Sequence, residues 1–128
     1  VLEPLRGYLM LAEKLFVEGP PFAEGWNFGS RDDDTKPVSW IVEQLTALWG
    51  KGASWDLDPH PQPHETHYLK LDCSKADSKL GWQSVTRLKD ALQGIITWHR
   101  AYIEKADMHL ETLNQIRRYE STLFMDGK

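Results

Sequence analysis

The stretch from His67 to Tyr102 constrains the fold most, because its apolar residues change period within it. The first five residues alternate, with Leu69 and Leu71 on one side, which is the period of a half-buried strand. From about Arg87 onward the apolar residues recur at steps of three and four, which predicts a long helix with one apolar face. That face carries Leu88, Leu92, Ile95, His99 and Tyr102. The stretch therefore predicts a fold that mixes helices with strands.

A short helix is predicted between these two segments. Ser74 is placed to accept a hydrogen bond from the first turn, and Asp77 occupies the matching position of a capping box. Gly81 provides the left-handed residue that ends such a helix. Trp82 then enters the core, and Thr86 is expected to cap the long helix that follows.

The other segments add further short elements. A first helix from the chain start should end at Gly19, since Pro20 and Pro21 cannot continue it. A second helix, with an apolar face that begins at Val38, should end at Gly50. Short strands are predicted at residues 25–29 and 54–58, and a last helix beyond Tyr102. The predicted fold class is α/β, more narrowly an α+β arrangement that is mostly helical with a few short strands.

Composition narrows the class of protein. A chain of 128 residues with 41% hydrophobic residues can bury one core. No stretch approaches the ~18 apolar residues of a membrane helix, so we expect no membrane partner and a cytoplasmic location. The net charge of −4 disfavours nucleic acid as a partner. The single cysteine, Cys73, suits a reducing compartment and is interpreted as a small packed residue rather than a reactive thiol.

Two clusters of potential metal ligands do not predict a metal site. Asp32 to Asp34 are consecutive, so they cannot converge on one hard cation, and they are interpreted as a solvated loop. His60, His64 and His67 lie in a proline-rich segment without a second ligand cluster, which argues against zinc. The sequence predicts no metal site.

Three segments, in this order, carry a resemblance to a known family: VLEPLRGYLMLAEKL at residues 1–15, WNFG at 26–29 and PHETHYLKLDCSKA at 63–76. Together with Leu80-Gly81-Trp82 and the helix after it, they resemble the C-terminal end of the extended short-chain dehydrogenase/reductase proteins that rebuild nucleotide sugars. Within that family the segments are more similar to the 4,6-dehydratases that act on CDP-glucose than to those acting on dTDP-glucose or GDP-mannose. Gln83-Ser84 stands where the pattern usually has x-Pro.

The resemblance implies a division of the chain and a reaction. Residues 1–104 would be the C-terminal substrate-binding part, residues 105–128 a helical tail, and the NAD-binding Rossmann part would precede residue 1. The whole enzyme would be a lyase that keeps NAD bound, oxidises the sugar at C4, eliminates water across C5 and C6, and returns the hydride to C6. The product would be CDP-4-dehydro-6-deoxy-glucose, a precursor of deoxysugars in bacterial surface polysaccharide. Homodimers are expected by analogy with the family.

The resemblance also implies three substrate-binding residues. Pro63-His64-Glu65 is similar to the P-x-E loop that contacts the nucleotide, and a Glu65 carboxylate can accept hydrogen bonds from both ribose hydroxyls. Asn27 matches the Asn of the family's N-x-G strand end, whose amide can donate and accept together. The alternatives are that Glu65 is a surface residue without a ligand and that Asn27 satisfies a turn carbonyl.

The motifs for hydride chemistry are absent from these residues. No glycine-rich strand-to-helix turn is present to hold the NAD pyrophosphate. The family's Tyr-x-x-x-Lys is also missing, since Tyr8, Tyr68 and Tyr102 are followed four residues on by Ala, Asp and Ala. The chain alone is therefore expected to be inactive, with no catalytic or cofactor-binding residue. Two rivals remain: a non-catalytic α+β binding or assembly module, and a related dehydratase or epimerase acting on a GDP- or dTDP-sugar.

Overall fold

A computed structural model describes residues 1–60 and 70–125 of the chain. Within these residues the regular structure consists of five α-helices and two short 3-10 turns. The α-helices are α1 (Leu2–Glu18), α2 (Val38–Trp49), α3 (Ser74–Leu80), α4 (Leu88–Ile103) and α5 (Met108–Met125), and the turns are Pro20–Phe22 and Asp32–Asp34. No helix in this part of the chain is both long and apolar enough to cross a membrane.

The core lies where α1 crosses α3. Trp82 is 1% exposed and packs with the buried Ala76 and Leu80, as the sequence predicts. Phe28 meets the Trp82 ring edge-on, with 5.0 Å between ring centroids. On α1 only a glycine fits against the Phe28 ring, because a Cβ atom at Gly7 would lie 2.4 Å from that ring. Aromatic packing therefore sets the distance between α1 and the segment that contains Phe28.

Helix α4 packs against both α2 and α5. Its buried residues are Leu92 and Ile96, whereas Ile95 and Tyr102 are 47% and 61% exposed. The predicted period is therefore confirmed, but the assignment of Ile95 and Tyr102 to the buried face is wrong. Because α2 and α5 pack on two sides of α4, the buried face of the helix is the one that carries Ile96.

The described residues contain no β-strand, so the strands predicted at residues 25–29 and 54–58 are wrong. Lys70 and Leu71, the described end of the alternating segment, are also irregular, and residues 67–69 lie outside the described part. Alternation predicts which side chains share a face, but a strand also needs a neighbour to complete its hydrogen-bond ladder. Here Asn27 Nδ2 donates to the carbonyl of Asp72 at 3.1 Å, so a side chain joins two segments that lack a ladder.

Helix ends follow the predicted glycines, whereas helix starts do not follow the predicted caps. Gly19, Gly50 and Gly81 end α1, α2 and α3, and Gly81 is left-handed at φ 66° and ψ 24°. The Ser74 capping box is wrong, because Asp72 Oδ1 accepts from the Ser74 amide at 2.9 Å. The assignment of Thr86 as the cap of α4 is also wrong, since Arg87 occupies the cap position without a side-chain bond.

Helix α5 is attached to the rest of the fold by polar contacts. Gln115 Nε2 donates to the carbonyl of Gly94 at 3.1 Å, and Trp98 Nε1 donates to Thr112 Oγ1 at 3.2 Å. The Tyr119 hydroxyl reaches α1, as described below. The division of the chain into a part ending at residue 104 and a tail at residues 105–128 stays a prediction.

Candidate functional site

A cleft of about 550 Å³ lies in front of Trp82 and is here called the Trp82 cleft. One wall is the irregular segment after Phe28, the other leads into α3, and the base is the loop after Gly81. The lining residues are Gly29, Ser30, Arg31, Asp32, Asp33, Lys70, Leu71, Asp72, Cys73, Ser74, Asp77, Trp82, Gln83 and Ser84. The volume falls in the range of small-molecule sites.

The two walls approach closely at Gly29. Its amide donates to Cys73 Sγ at 3.1 Å, and a Cβ atom at this position would lie 3.2 Å from Leu71 Cβ. Glycine therefore permits the approach, and the Cys73 sulfur satisfies a backbone amide. This contact supports the interpretation of Cys73 as a packed structural residue.

The carboxylates that line the cleft are engaged with protein partners. Lys70 Nζ lies 2.6 Å from Asp32 Oδ1, and Gln83 Nε2 donates to Asp77 Oδ1 at 2.9 Å. Hydrogen bonds from the Ser74 side chain and backbone hold the pKa of Asp72 below its usual value. Most of the acidic lining is thus already neutralised or hydrogen-bonded by the fold.

Asp33 is paired in the same way. Its Oδ2 accepts from Arg87 Nη1 at 3.0 Å, and this hydrogen bond is the main reason that the pKa of Asp33 is lowered. The same bond raises the pKa of Arg87. The Asp33–Arg87 pair therefore ties the 3-10 turn at the cleft rim to the start of α4.

Three polar side chains of the lining form no hydrogen bond or ion pair with any residue in the described part of the chain: Ser30, Arg31 and Ser84. The Arg31 charge does act on the nearby Asp33 and helps to lower its pKa. Ser30 and Arg31 are exposed, whereas Ser84 is 6% exposed at the base of the cleft. A cation and hydroxyls without hydrogen-bond partners in the protein are groups that could bind an anionic, oxygen-rich ligand.

The base of the cleft is held in place from α1. Glu3 Oε1 accepts from the Val85 amide at 3.0 Å and from the Thr86 amide at 2.6 Å. Arg6 Nη2 donates to the carbonyl of Gln83. Tyr119 on α5 completes the set, donating to Glu3 Oε2 at 3.0 Å and accepting from Arg6 Nε at 3.1 Å. Glu3, Arg6 and Tyr119 are here called the bracket.

The predicted site residues have different outcomes. Asn27 is exposed and lies just before the cleft wall, with its amide nitrogen on the Asp72 carbonyl at 3.1 Å. This is the turn-carbonyl alternative that the sequence left open, although the side-chain oxygen of Asn27 is not used in that bond. His64 and Glu65 lie outside the described residues. Nucleotide binding by Asn27, His64 and Glu65 stays a prediction.

No group of three or more His, Cys, Asp or Glu side chains in residues 1–60 and 70–125 is arranged to hold a metal ion. Asp33 and Asp34 both face Arg87, with Asp34 Oδ1 at 3.2 Å from its Nη2. The Asp33 carboxylate and Oδ1 of Asp34 are therefore used in ion pairs, whereas Asp34 Oδ2 is buried without a hydrogen-bond partner among the described residues.

Sequence reasoning missed Arg31, Ser84 and the bracket. Ser84 carried one signal, since it stands where the family pattern usually has proline. Glu3, Arg6 and Tyr119 gave none, because Tyr119 is 116 residues from Glu3 along the chain.

Comparison with known proteins agrees with the family resemblance. No family model matches the chain. The chain is 50% identical over 121 residues to a CDP-glucose 4,6-dehydratase of Salmonella typhimurium. The match covers 94% of this chain and 34% of that enzyme. The similarity thus extends past residue 104, where the resemblance was expected to end. The chain spans about a third of the length of this relative. The predicted resemblance is confirmed: over almost its whole length the chain is similar to part of a CDP-glucose 4,6-dehydratase.

Proposed function

We propose that this chain is the sugar-nucleotide-binding part of a CDP-glucose 4,6-dehydratase and that the ligand occupies the Trp82 cleft. The observation that carries the proposal is the 50% identity to such an enzyme over 94% of the chain. The cleft adds a site of suitable size, about 550 Å³, formed by residues of two of the three segments that carry the resemblance.

The chemistry of the lining supports a ligand with phosphates and hydroxyls. Arg31 offers a guanidinium that can bind phosphate oxygens through two parallel hydrogen bonds. Lys70 adds a second positive charge at the same rim, although Asp32 shares it at 2.6 Å. Asn27, His64 and Glu65 are proposed to contact the nucleotide.

The reaction belongs to the whole enzyme in this proposal. NAD would be held by a Rossmann part that these residues do not include, and the bound cofactor would supply oxidation at C4 and hydride return to C6. The residues of this chain would bind and orient the CDP-sugar so that its glucose faces that cofactor. Orientation of this kind contributes to catalysis without a proton transfer by the residues that provide it.

Calorimetric titration of the chain with CDP, GDP and dTDP tests the proposal. We expect CDP to bind most tightly and Arg31→Gln to weaken CDP binding by about tenfold, the size of one charge-assisted hydrogen bond. Arg118→Gln on the exposed side of α5 is the matched control and should leave the affinity unchanged. Tighter binding of GDP or dTDP would reassign the nucleotide. Absence of binding by all three would contradict the proposal and favour a non-catalytic binding or assembly module.

A further inference from the structure

Ser84 is the one buried polar residue in the described part of the chain, with 6% of its surface exposed, and it lines the Trp82 cleft. Its hydroxyl forms no hydrogen bond with any described residue, whereas the hydroxyls of Ser74 and Ser78 on the adjacent α3 both donate within the protein. The Ser84 oxygen is not among the fully enclosed side-chain atoms that lack a partner, so it is open to the cleft and a ligand there can reach it.

The backbone on both sides of Ser84 is fixed. The carbonyl of Gln83 accepts from Arg6, and the amide of Val85 donates to Glu3 Oε1 at 3.0 Å. The Trp82 indole donates to the carbonyl of Glu3 at 3.2 Å, which holds the preceding residue as well. Rotation about χ1 is therefore the main freedom left to Ser84. A polar group held in this way is pre-organised for binding, because little entropy is lost when a ligand meets it.

The rest of the cleft restricts what the partner can be. Gln83 Nε2 donates to Asp77 Oδ1 at 2.9 Å, so these two atoms already have a partner within the protein. A serine hydroxyl can donate one hydrogen bond and accept two, which suits a phosphate oxygen or a sugar hydroxyl. The Arg31 cation at the rim can pair with an anionic group of a ligand.

We propose that the Ser84 hydroxyl hydrogen-bonds an oxygen of the sugar nucleotide in the Trp82 cleft and is a substrate-binding residue of this chain. The inference rests on the proposed function and names a contact within that site.

The test compares the chain with its Ser84→Ala variant in titrations with CDP and with CDP-glucose. We expect Ser84→Ala to bind about five- to tenfold more weakly, the effect of one lost hydrogen bond. Thermal unfolding should be unchanged or slightly raised in Tm, because the alanine leaves no unpaired hydroxyl in the folded state. Ser78→Ala, whose hydroxyl bonds to the Lys75 carbonyl at 3.4 Å, is the matched control and should bind as the unmodified chain does.

The two ligands locate the partner atom. Weaker binding of both CDP and CDP-glucose places it on the nucleoside diphosphate, and weaker binding of CDP-glucose alone places it on the sugar. If the unmodified chain binds and Ser84→Ala binds equally well, the inference is overturned while the proposed function stands. If the unmodified chain binds neither ligand, both are overturned.

Discussion

The carboxylate of Glu3 accepts a hydrogen bond from the amide of Thr86 at 2.6 Å, although 83 residues separate them in the chain. The same oxygen accepts from Val85 at 3.0 Å. Both amides precede α4, which begins at Leu88, so the Glu3 carboxylate holds the loop that leads into this helix. The first turn of α1 thus stabilises that loop and the base of the Trp82 cleft.

Replacing Glu3 should therefore destabilise the fold. Glu3→Gln removes a charged acceptor of two backbone amides and of the Tyr119 hydroxyl, and we expect a loss of about 1.5 to 3 kcal/mol in the free energy of unfolding. Denaturant unfolding measures it. Glu13→Gln, on an exposed position of the same helix, is the control. Equal unfolding midpoints for the two variants would show that the Glu3 contacts contribute nothing.

Trp82 should be the most sensitive position in the core. The side chain is 1% exposed, and Trp82→Ala is expected to cost about 3 to 5 kcal/mol in unfolding free energy. Trp55→Ala provides the comparison, because Trp55 is 39% exposed and its loss should have a much smaller effect. A Trp82→Ala variant with unchanged melting would refute the packing described here.

The Tyr119 phenol should ionise at a higher pH than an ordinary tyrosine. Burial, and next the adjacent Glu3 charge, raise its pKa from 10.0 to about 12. Because the folded pKa lies above the unfolded one, the stabilising contribution is complete below pH 10 and is lost as the pH rises through 12. Ultraviolet titration of the phenols should show a late-ionising group that Tyr119→Phe removes. If the phenol that Tyr119→Phe removes ionises near pH 10 in the difference spectrum, the assignment is contradicted.

The Asp33–Arg87 pair should make the stability of the fold decrease at low pH. The pKa of Asp33 is lowered from 3.8 by the Arg87 hydrogen bond, so its contribution is present above that value and is lost as the pH falls through the folded pKa. Carboxyl NMR titration should give Asp33 a midpoint below 3.8. In Arg87→Gln the midpoint should move upward. A midpoint that is the same in both proteins would exclude the pair.

Local patterns predicted the parts of the fold that depend on neighbours in sequence. Glycines at 19, 50 and 81 end helices because backbone freedom is a local property. Trp82 is buried because it directly follows Gly81 and packs on Ala76 and Leu80 of the helix that this glycine ends. The strands failed because pairing requires a partner that periodicity does not specify. The Thr86 cap failed because α4 begins at Leu88, one residue later than expected, which puts Arg87 at the cap position.

The candidate site was predictable only in part, because much of it depends on three-dimensional contacts between segments. The resemblance led to Asn27, which lies beside the Trp82 cleft and contacts a residue of its wall. Arg31 and Ser84 emerge only after the other polar groups of the lining are matched with their partners, which requires three-dimensional contacts. Their roles could not be inferred from spacing along the chain.

The central claim is that a cytidine sugar nucleotide occupies the Trp82 cleft. Backbone amide NMR spectra of the isotopically labelled chain, recorded with increasing CDP, test it most directly. The account predicts that saturable shifts concentrate at Gly29, Arg31, Cys73 and Ser84, and that the α2–α4 contact region near Trp49 and Arg100 stays unchanged. Shifts confined to that region, or a spectrum that CDP does not alter, would contradict the claim.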